Sequence, residues 1–269
     1  ARAGKDVWCE KPMTRTIGEG KRLVEAVQQH GRIFRLNTWF RFESNFYGMN
    51  TTVKPIKKLV ESGLLGWPLK VTVSRHTGFD WKFYWVGKTD LKPEPVPAEL
   101  DYDMWLGPAK KRPFNPNRFH FNFRWFWDYA GGLMTDWGVH EIDIALYAMN
   151  AKAPKSVMAS GGKLAYPDDA SETPDTLQTV YEYEGFNMLW EHATGIDGGN
   201  YGLTEGIAFI GNNGTLVLHR GGWSLHPETQ TKNGIKVYKI EDIPDQARNG
   251  DYLNEHTKNF VQAIKDNNP

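Results

Sequence analysis

The sequence has one cysteine, Cys9, and this scarcity excludes both an internal disulfide framework and a metal site built from several thiolates. It also has no excess of charge, because 32 basic residues balance 32 acidic ones. Nucleic acids and anionic membrane surfaces attract proteins with a marked basic excess, so we expect neither as a partner. No apolar run approaches the length of a membrane span, and none is predicted.

The composition is otherwise that of a globular protein, with 40% hydrophobic and 24% charged residues. The 269 residues suffice for one large domain or two modest ones. Aromatic residues are abundant, including 11 Trp, and many lie between positions 81 and 137. Aromatic rings stack on the C–H faces of sugars, but they also fill protein cores, and composition leaves both interpretations open.

The first part of the chain predicts a strand, a helix and a second strand, at 5–9, 17–30 and 32–37. Thr14 or Thr16 can cap the helix. Such a run is typical of a right-handed parallel crossover, the repeating unit of a doubly wound sheet. Because the chain opens almost directly on this unit, we expect an upstream part of the same domain to be missing.

The remainder predicts a different architecture. Helices are expected at 45–62, 101–106 and 251–266, with a strand at 69–75, loops at 77–100 and 107–117, and an aromatic, basic segment at 118–129. Later strands are expected at 156–161, 176–183, 188–194, 206–211, 215–219 and 236–240. Short turns separate them, which favours a mostly antiparallel sheet. The predicted fold class is therefore α/β plus α+β: the C-terminal portion of a Rossmann-like domain followed by a mostly antiparallel open-sheet domain.

Residues 131–147 carry the sequence GGLMTDWGVHEIDIALY, which predicts a Gly-Gly turn leading into a helix. On that helix Asp136 and His140 share one face, with Asp143 nearby. A carboxylate beside an imidazole suits proton abstraction from an alcohol, since the imidazole titrates near neutral pH. The alternative is an amphipathic helix with a satisfied polar pair, which the spacing alone favours. No metal site is predicted, because three ligands on one helix give an awkward geometry for most ions.

Two motifs occur in a fixed order: Glu10-Lys11-Pro12 after a strand, and Gly-Gly-x-x-x-Asp-x-Gly-x-His-x-x-Asp from Gly131 onward. Together they resemble the glucose–fructose oxidoreductase / inositol dehydrogenase / MocA family of dehydrogenases, and the likeness covers nearly the whole chain. The resemblance implies that residues 1–38 are the remnant of an NAD(P)-binding Rossmann domain. It implies that residues 39–269 form a substrate-binding and oligomerisation domain.

The resemblance also implies catalytic roles for Lys11, Asp136 and His140. His140 would be the general base on the substrate hydroxyl, and Asp136 would bind a hydroxyl or hold His140. Lys11 would hydrogen-bond the reacting oxygen, where an ammonium stabilises the developing alkoxide. Without the family, an exposed lysine at a strand end is the simpler interpretation of Lys11.

Further residues would line the cofactor and the substrate. Glu10, Lys11 and Pro12 would lie at the nicotinamide end of the cofactor, with Pro12 turning the lysine inward because the residue before a proline is held extended. Arg41 would face the cofactor, or else be a surface arginine. The substrate candidates are Arg118, His120, Arg124, Asp136 and Tyr201. The stripe around Arg124 could bind sugar hydroxyls or a carboxylate, or could serve packing with its charged tips in solvent.

One departure from the family is the lack of a Gly-x-Gly-x-x-Gly loop, which would cradle the pyrophosphate, and of the acidic residue that would meet the ribose. In the family both lie upstream of the position of Ala1. The resemblance therefore implies NAD or NADP as cofactor of the complete protein, with the main phosphate-binding loop absent from this chain.

The predicted function is hydride transfer between NAD(P) and a secondary hydroxyl of a sugar, cyclitol or glycoside. Two alternatives stay open: a glycoside hydrolase that uses transient oxidation with bound NAD, and a non-catalytic sugar-binding or assembly protein. The expected partners are a small carbohydrate-like substrate and further copies of the chain, joined through the open sheet. The compartment, cytoplasm or periplasm, is not fixed by the sequence.

Overall fold

A computed structural model describes residues 1–42, 54–67, 69–77, 89, 91–196, 198–247 and 252–268. Its first elements are β1 (Val7–Cys9), α1 (Ile17–Gln29) and β2 (Phe34–Leu36). The two strands pair in parallel, with Val7 opposite Phe34. The predicted parallel crossover is therefore confirmed, although each strand is shorter than predicted.

The first helix begins at a capping box. Thr16 Oγ1 accepts a hydrogen bond from the Glu19 amide at 3.2 Å, and the Glu19 carboxylate accepts one from the Thr16 amide at 3.1 Å. Each side chain thereby satisfies an amide that the first turn of a helix leaves unpaired. Of the two candidate caps, Thr16 is the one used.

The connecting region contains short elements. A 3₁₀ turn at Trp39–Phe42 precedes α2 (Lys54–Glu61) and β3 (Leu69–Thr77). The first half of the helix predicted at 45–62 and half of the loop predicted at 77–100 lie outside the described residues. Then come α3 (Tyr102–Leu106) and 3₁₀ turns at Pro116–Arg118 and His120–Trp125. A π-helical turn at Met134–Gly138 leads into α4 (Val139–Ala148).

The second half of the chain is built on one large sheet. Its strands are β4 (Ser156–Gly162), β5 (Thr176–Glu182), β6 (Phe186–Thr194), β7 (Glu205–Ile210), β8 (Gly214–His219), β9 (Gly222–Pro227) and β12 (Gln246–Ala247), joined by β3. The order is β12-β9-β8-β7-β3-β6-β5-β4. Only the β3–β6 pairing is parallel among the described strands of this sheet, so the predicted mostly antiparallel sheet is confirmed.

Three strands were not predicted: β9, β10 (Thr229–Lys232) and β12. β10 pairs with β11 (Ile235–Tyr238) in a separate hairpin. The sequence of β10, TQTK, contains no apolar residue, and β12 is two residues long, so neither carries an alternating hydrophobic pattern. Their pairing depends on the neighbouring strand, which a local pattern does not record.

The main core lies between α4, α2 and one face of the sheet. The apolar side chains of β3, β7 and β8 on that face are fully buried: Val71, Val73, Ile207, Phe209, Leu216 and Leu218. Ile144 of α4 and Ile56 of α2 cover them, each 1% exposed. This packing fixes α4 rigidly against the sheet, so the residues on its opposite side have a stable platform.

The last helix, α5 (Tyr252–Asp266), returns to the first part of the chain. Trp8 of β1 lies with its ring 4.7 Å from that of His256 and 5.3 Å from that of Phe260. The two ends of the chain therefore pack together. Among the described residues, no helix is long and apolar enough to cross a membrane.

Candidate active site

Lys11 joins the first, parallel part of the chain to α4. It follows β1 and Glu10, and its Nζ donates hydrogen bonds to Asp136 Oδ1 at 2.5 Å and to the Asp136 carbonyl oxygen at 2.9 Å. The two side chains are only 20% and 14% exposed. The peptide bond between Lys11 and Pro12 is cis. Lys11 and Asp136 are 125 positions apart in sequence, so tertiary folding alone creates this contact.

Asp136 is held between two cations. Besides Lys11, the Nε of Arg124 lies 3.0 Å from its Oδ1. Burial by itself would raise the pKa of the Asp136 carboxyl, but the charges and hydrogen bonds of Lys11 and Arg124 outweigh burial and lower that pKa. Asp136 is therefore ionised at neutral pH and fixes the orientation of both cations.

His140 lies beside this group in a dry environment. It is 5% exposed, and its ring stacks on Phe40 at 4.4 Å and lies 5.3 Å from the ring of Trp39. Burial first, and the charge of Lys11 second, lower the pKa of His140 to about 4, against the opposing effect of Asp136. The imidazole is therefore neutral at physiological pH. Its buried Nδ1 has no hydrogen-bond partner within the described part of the chain.

A π-helical turn replaces the first turn of the regular helix predicted at 131–147. Asp136 lies inside this turn, which is wider than an α-turn, and its carbonyl is available to Lys11. Gly138 allows the turn to approach the sheet, because a Cβ there would lie 3.2 Å from the ring of Trp190. The sequence pattern places Asp136 and His140 near each other but does not distinguish a π-turn from an α-turn.

The remaining cofactor candidates lie at two places. The carboxylate of Glu10 accepts hydrogen bonds from Asn37 Nδ2 at 2.8 and 2.9 Å, at the carboxyl ends of β1 and β2. Arg41 instead forms a two-pronged ion pair with Asp143, each N–O distance being 2.5 Å. Its guanidinium also lies over the ring of Tyr147 at 5.0 Å. Arg41 thus attaches the Trp39–Phe42 turn to α4, and its charge is already matched.

Of the substrate candidates, only Arg124 joins Asp136. The buried Arg118 donates from Nη2 to the carbonyl of Pro113, and His120 is exposed with its ring 4.2 Å from Phe119. Arg118, His120 and Arg124 do not share one face, because this segment coils into 3₁₀ turns. Their side chains therefore point in different directions.

Tyr201 lies on the far side of the large sheet. Its ring stacks on that of His226 at 6.1 Å, and it lines a small cavity with Thr72 and Ser74. These residues alternate along the strands with Val71 and Val73, which face α4. Since neighbouring side chains of a strand point to opposite faces, the structure does not bring Tyr201 to the Lys11–Asp136–His140 group.

Sequence reasoning missed a buried polar group behind the site. Glu141 is fully buried, and burial raises its pKa well above the usual range, with the charge of Arg75 opposing and that of Glu205 adding to the effect. Arg75 Nη1 contacts Glu205 Oε2 at 2.5 Å, and its guanidinium lies 3.9 Å from the ring centre of Trp137. These residues come from distant elements, so no local signal could have grouped them. Asn37, by contrast, could have been found from its position after β2.

Within the described ranges, no three His, Cys, Asp or Glu side chains are arranged to hold a metal ion. The candidate site instead brings together a buried neutral imidazole, an ammonium and a carboxylate at the junction of a parallel sheet and a helix. This arrangement is suited to proton transfer on a hydroxyl, next to the strand ends where doubly wound sheets bind nucleotides.

Comparison with known proteins identifies the protein family to which this chain belongs. Residues 1–38 match the NAD-binding Rossmann fold of an oxidoreductase family, and residues 49–195 match the C-terminal alpha/beta domain of that family. The second match covers more than half of the chain. The chain therefore belongs to the glucose–fructose oxidoreductase / inositol dehydrogenase / MocA family, as the two motifs indicated.

Among curated proteins, the chain is 27% identical over 172 residues to the uncharacterized oxidoreductase YrbE of Bacillus subtilis, covering 63% of this chain and 36% of that protein. It is 24% identical over 164 residues to myo-inositol 2-dehydrogenase of Thermotoga maritima, covering 61% of this chain and 34% of that protein. The matches therefore span about a third of the length of these relatives.

Solved structures share the fold. An oxidoreductase from Thermotoga maritima superposes on 100% of this chain with a TM-score of 0.63 and 18% identity, and 63% of that protein is covered. The WlbA dehydrogenase of Bordetella pertussis, solved with NADH and UDP-GlcNAcA, superposes with a TM-score of 0.56 and 18% identity, with 100% and 63% coverage. The predicted fold class is confirmed by these superpositions.

Proposed function

We propose that the protein containing this chain transfers a hydride between NAD or NADP and a secondary hydroxyl of a sugar, cyclitol or glycoside. The observation that carries the proposal is the contact of Lys11, at a strand end of the Rossmann portion, with Asp136 beside the neutral His140. The family is one of oxidoreductases with an NAD-binding fold, and a relative acts on myo-inositol. These likenesses support the cofactor class and a polyhydroxylated substrate.

In this proposal His140 is the general base. A neutral, dry imidazole can accept the proton of a substrate hydroxyl on a ring nitrogen. Its low pKa makes it a weak base, so another group has to stabilise the oxygen anion as the proton leaves. A single histidine without that help would transfer the proton slowly.

Lys11 supplies this help. An ammonium has three N–H groups, and Asp136 engages two of them, at Oδ1 and at the backbone carbonyl. The third is available for the substrate oxygen, whose developing negative charge it would stabilise. Asp136 acts as a positioning residue that holds Lys11 and Arg124 in place. Of the predicted substrate-binding residues, Arg124 is the one that we propose contacts the substrate.

The residues at the carboxyl edge of β1 and β2 suit a nicotinamide cofactor. This edge is where doubly wound sheets bind nucleotides, and it presents Glu10, Lys11 and Pro12 next to the base. The bound cofactor would accept or return the hydride. We propose that Arg41 contributes indirectly, because its pair with Asp143 fixes the turn whose Phe40 ring stacks on His140.

The test uses the full-length protein, incubated with NAD or NADP and a panel of hexoses, inositols and methyl glycosides, with reduced nicotinamide measured by absorbance. We expect reduction with at least one compound. His140→Asn and Lys11→Met should each lower kcat/KM by about 10²–10⁴-fold, the usual contribution of an acid–base group. The control Trp67→Ala changes a 57% exposed side chain outside the site.

Different outcomes separate the alternatives. Glycoside cleavage without net reduction of the cofactor would favour transient oxidation instead. Saturable sugar binding with no turnover under any condition would favour a binding protein. Unchanged turnover in His140→Asn would remove His140 from the chemistry.

We also propose that copies of the chain associate through the open sheet. The edge strand β4 exposes Val157 and Met158, at 52% and 70%, although exposed apolar side chains are costly on a monomer surface. Light scattering should give an oligomer, and Met158→Lys should shift it toward smaller species. A wild-type monomer would contradict this assembly.

A further inference from the structure

A cleft of about 580 Å³ opens beside the site, between the first part of the chain and the aromatic segment. Its lining includes Arg15, Trp105, Lys110, Phe123, Asp128 and Tyr129. We call it the Trp105 cleft. Its volume lies in the range of small-molecule sites.

The cleft adjoins the site on two sides. Arg15 comes four residues after Lys11, so their Cα atoms are at most about 14 Å apart. Its guanidinium donates to the carbonyls of Trp127 and Asp128, which joins the two walls. On the other side, the ring of Phe123 lies 5.1 Å from the guanidinium of Arg124, which contacts Asp136. One wall of the cleft therefore lies next to Arg124, the cation that pairs with Asp136.

The walls have the chemistry of a sugar-binding surface. Trp105, Tyr129 and Phe123 are all partly exposed, and the rings of Trp105 and Tyr129 lie 5.1 Å apart. Trp105 also packs against Tyr102 at 5.8 Å and Phe119 at 4.8 Å. The exposed part of such rings is apolar and can contact the C–H side of a pyranose. Asp128, held by an ion pair with Arg112, offers a fixed carboxylate that can accept hydrogen bonds from hydroxyl groups.

The charges argue against a strongly anionic ligand. Arg15 and Lys110 are balanced in the lining by Glu19 and Asp128. A nucleoside diphosphate would bring two or more negative charges next to those carboxylates, which is unfavourable. An aliphatic chain would form no hydrogen bonds with the charged side chains of the rim. A neutral ring with hydroxyls around an apolar face fits both features.

We propose that the Trp105 cleft binds the second ring of a disaccharide or glycoside whose first ring lies at Lys11 and His140. This inference rests on the proposed function, since it names the substrate class of the same site. It makes the preferred substrate a two-ring carbohydrate, with Trp105 as a specificity-determining residue.

The test measures binding separately from turnover. Calorimetry on the full-length protein with its nicotinamide cofactor would compare cellobiose, maltose and lactose with the matching methyl glycosides. We expect at least one disaccharide to bind more tightly than its one-ring counterpart. Trp105→Ala should reduce that advantage about tenfold, as expected for the loss of one stacking contact, and leave the one-ring affinity unchanged. Trp105→Phe should retain most of the advantage, and Trp67→Ala all of it.

Several results would overturn the inference: equal affinity for one-ring and two-ring sugars, an unchanged advantage in Trp105→Ala, or tighter binding of UDP-glucose that depends on Lys110. If Trp105→Ala does not fold, Phe123→Leu, which replaces another ring of the lining, still tests the cleft through the same affinity ratio and should reduce the two-ring advantage. A two-ring advantage without cofactor reduction would support the cleft and remove hydride transfer. Turnover without a two-ring advantage would remove the cleft alone.

Discussion

The neutral state of His140 should make the protein less stable in mild acid, and His140→Asn should remove part of this sensitivity. In the folded protein burial lowers the pKa of His140 to about 4, from an ordinary value of 6.5. Between these values the unfolded chain binds a proton that the folded chain does not. The contribution of His140 to stability is therefore fully present above pH 6.5 and is lost as the pH falls toward 4.

The magnitude follows from the pKa difference. About 1.5 pH units separate 6.5 from pH 5, and each unit corresponds to about 1.4 kcal/mol. Lowering the pH from about 7 to about 5 should thus reduce the free energy of unfolding by about 2 kcal/mol through His140 alone. Burial also lowers the pKa values of His192 and His256 to about 4, so the wild-type protein should lose more than this in total.

The assay is urea unfolding at both pH values, for the wild type and for His140→Asn. The variant should lose about 2 kcal/mol less on acidification. Replacing the ring also removes its stacking on Phe40, but this cost applies at both pH values and cancels in the comparison. Ile144→Val, in the same helix and 1% exposed, is the control: it should lower stability by about 1 kcal/mol at either pH.

If the wild type and His140→Asn lost the same stability within about 0.5 kcal/mol, His140 would not be neutral and dry in the folded state. The argument for His140 as a neutral base would then be refuted, since it depends on the same burial. If Ile144→Val lowered the free energy of unfolding equally at both pH values, as expected, that conclusion would be specific to the histidine.

Three further predictions concern the supports of the site. Glu141→Gln should become more stable relative to wild type as the pH rises, in urea unfolding. Burial raises the pKa of the Glu141 carboxyl in the folded protein. Its contribution to the free energy of unfolding is therefore present below the pKa of the unfolded chain and is lost as the pH rises through the pKa of the folded protein. A stability difference between Glu141→Gln and wild type that stays constant with pH would contradict this. Gly132→Ala should lower the melting temperature more than Gly63→Ala. Both glycines have positive φ, but a Cβ at Gly132 would lie 2.8 Å from Thr173 Oγ1 and one at Gly63 meets open space, so equal shifts would contradict the close approach. Thr16→Ala should lower the free energy of unfolding by about 1 kcal/mol, measured by chemical unfolding, and Thr16→Ser should restore most of that loss. An unchanged free energy in Thr16→Ala would show that the capping box does not stabilise the fold.

Several features of the fold could be predicted because their signals are local. Alternating apolar residues marked most strands of the large sheet, and Thr16 with Glu19 marked the start of α1. The spacing of Asp136 and His140 placed them close together on one element. The family was also recognisable, because its two motifs are short runs that occur in the expected order along the chain.

Other features required the chain to be assembled. The pairing of Lys11 with Asp136 joins two distant segments, and the low pKa of His140 depends on burial beneath Trp39 and Phe40. The assignment of Tyr201 to the far face depends on strand pairing and on the alternation of side chains across the pleat.

The composition class, the order of the main elements, the family motifs and the residue types of the site can all be predicted along the chain. The folded structure was needed to show which of the candidate cations contact Asp136, that Arg41 is matched by Asp143, and that Asp136 lies in a π-turn. The physical reason is that helices and strands follow short-range periodicity, which is written along the chain. Burial, charge pairing and pKa depend instead on groups that are distant in sequence and come together only on folding.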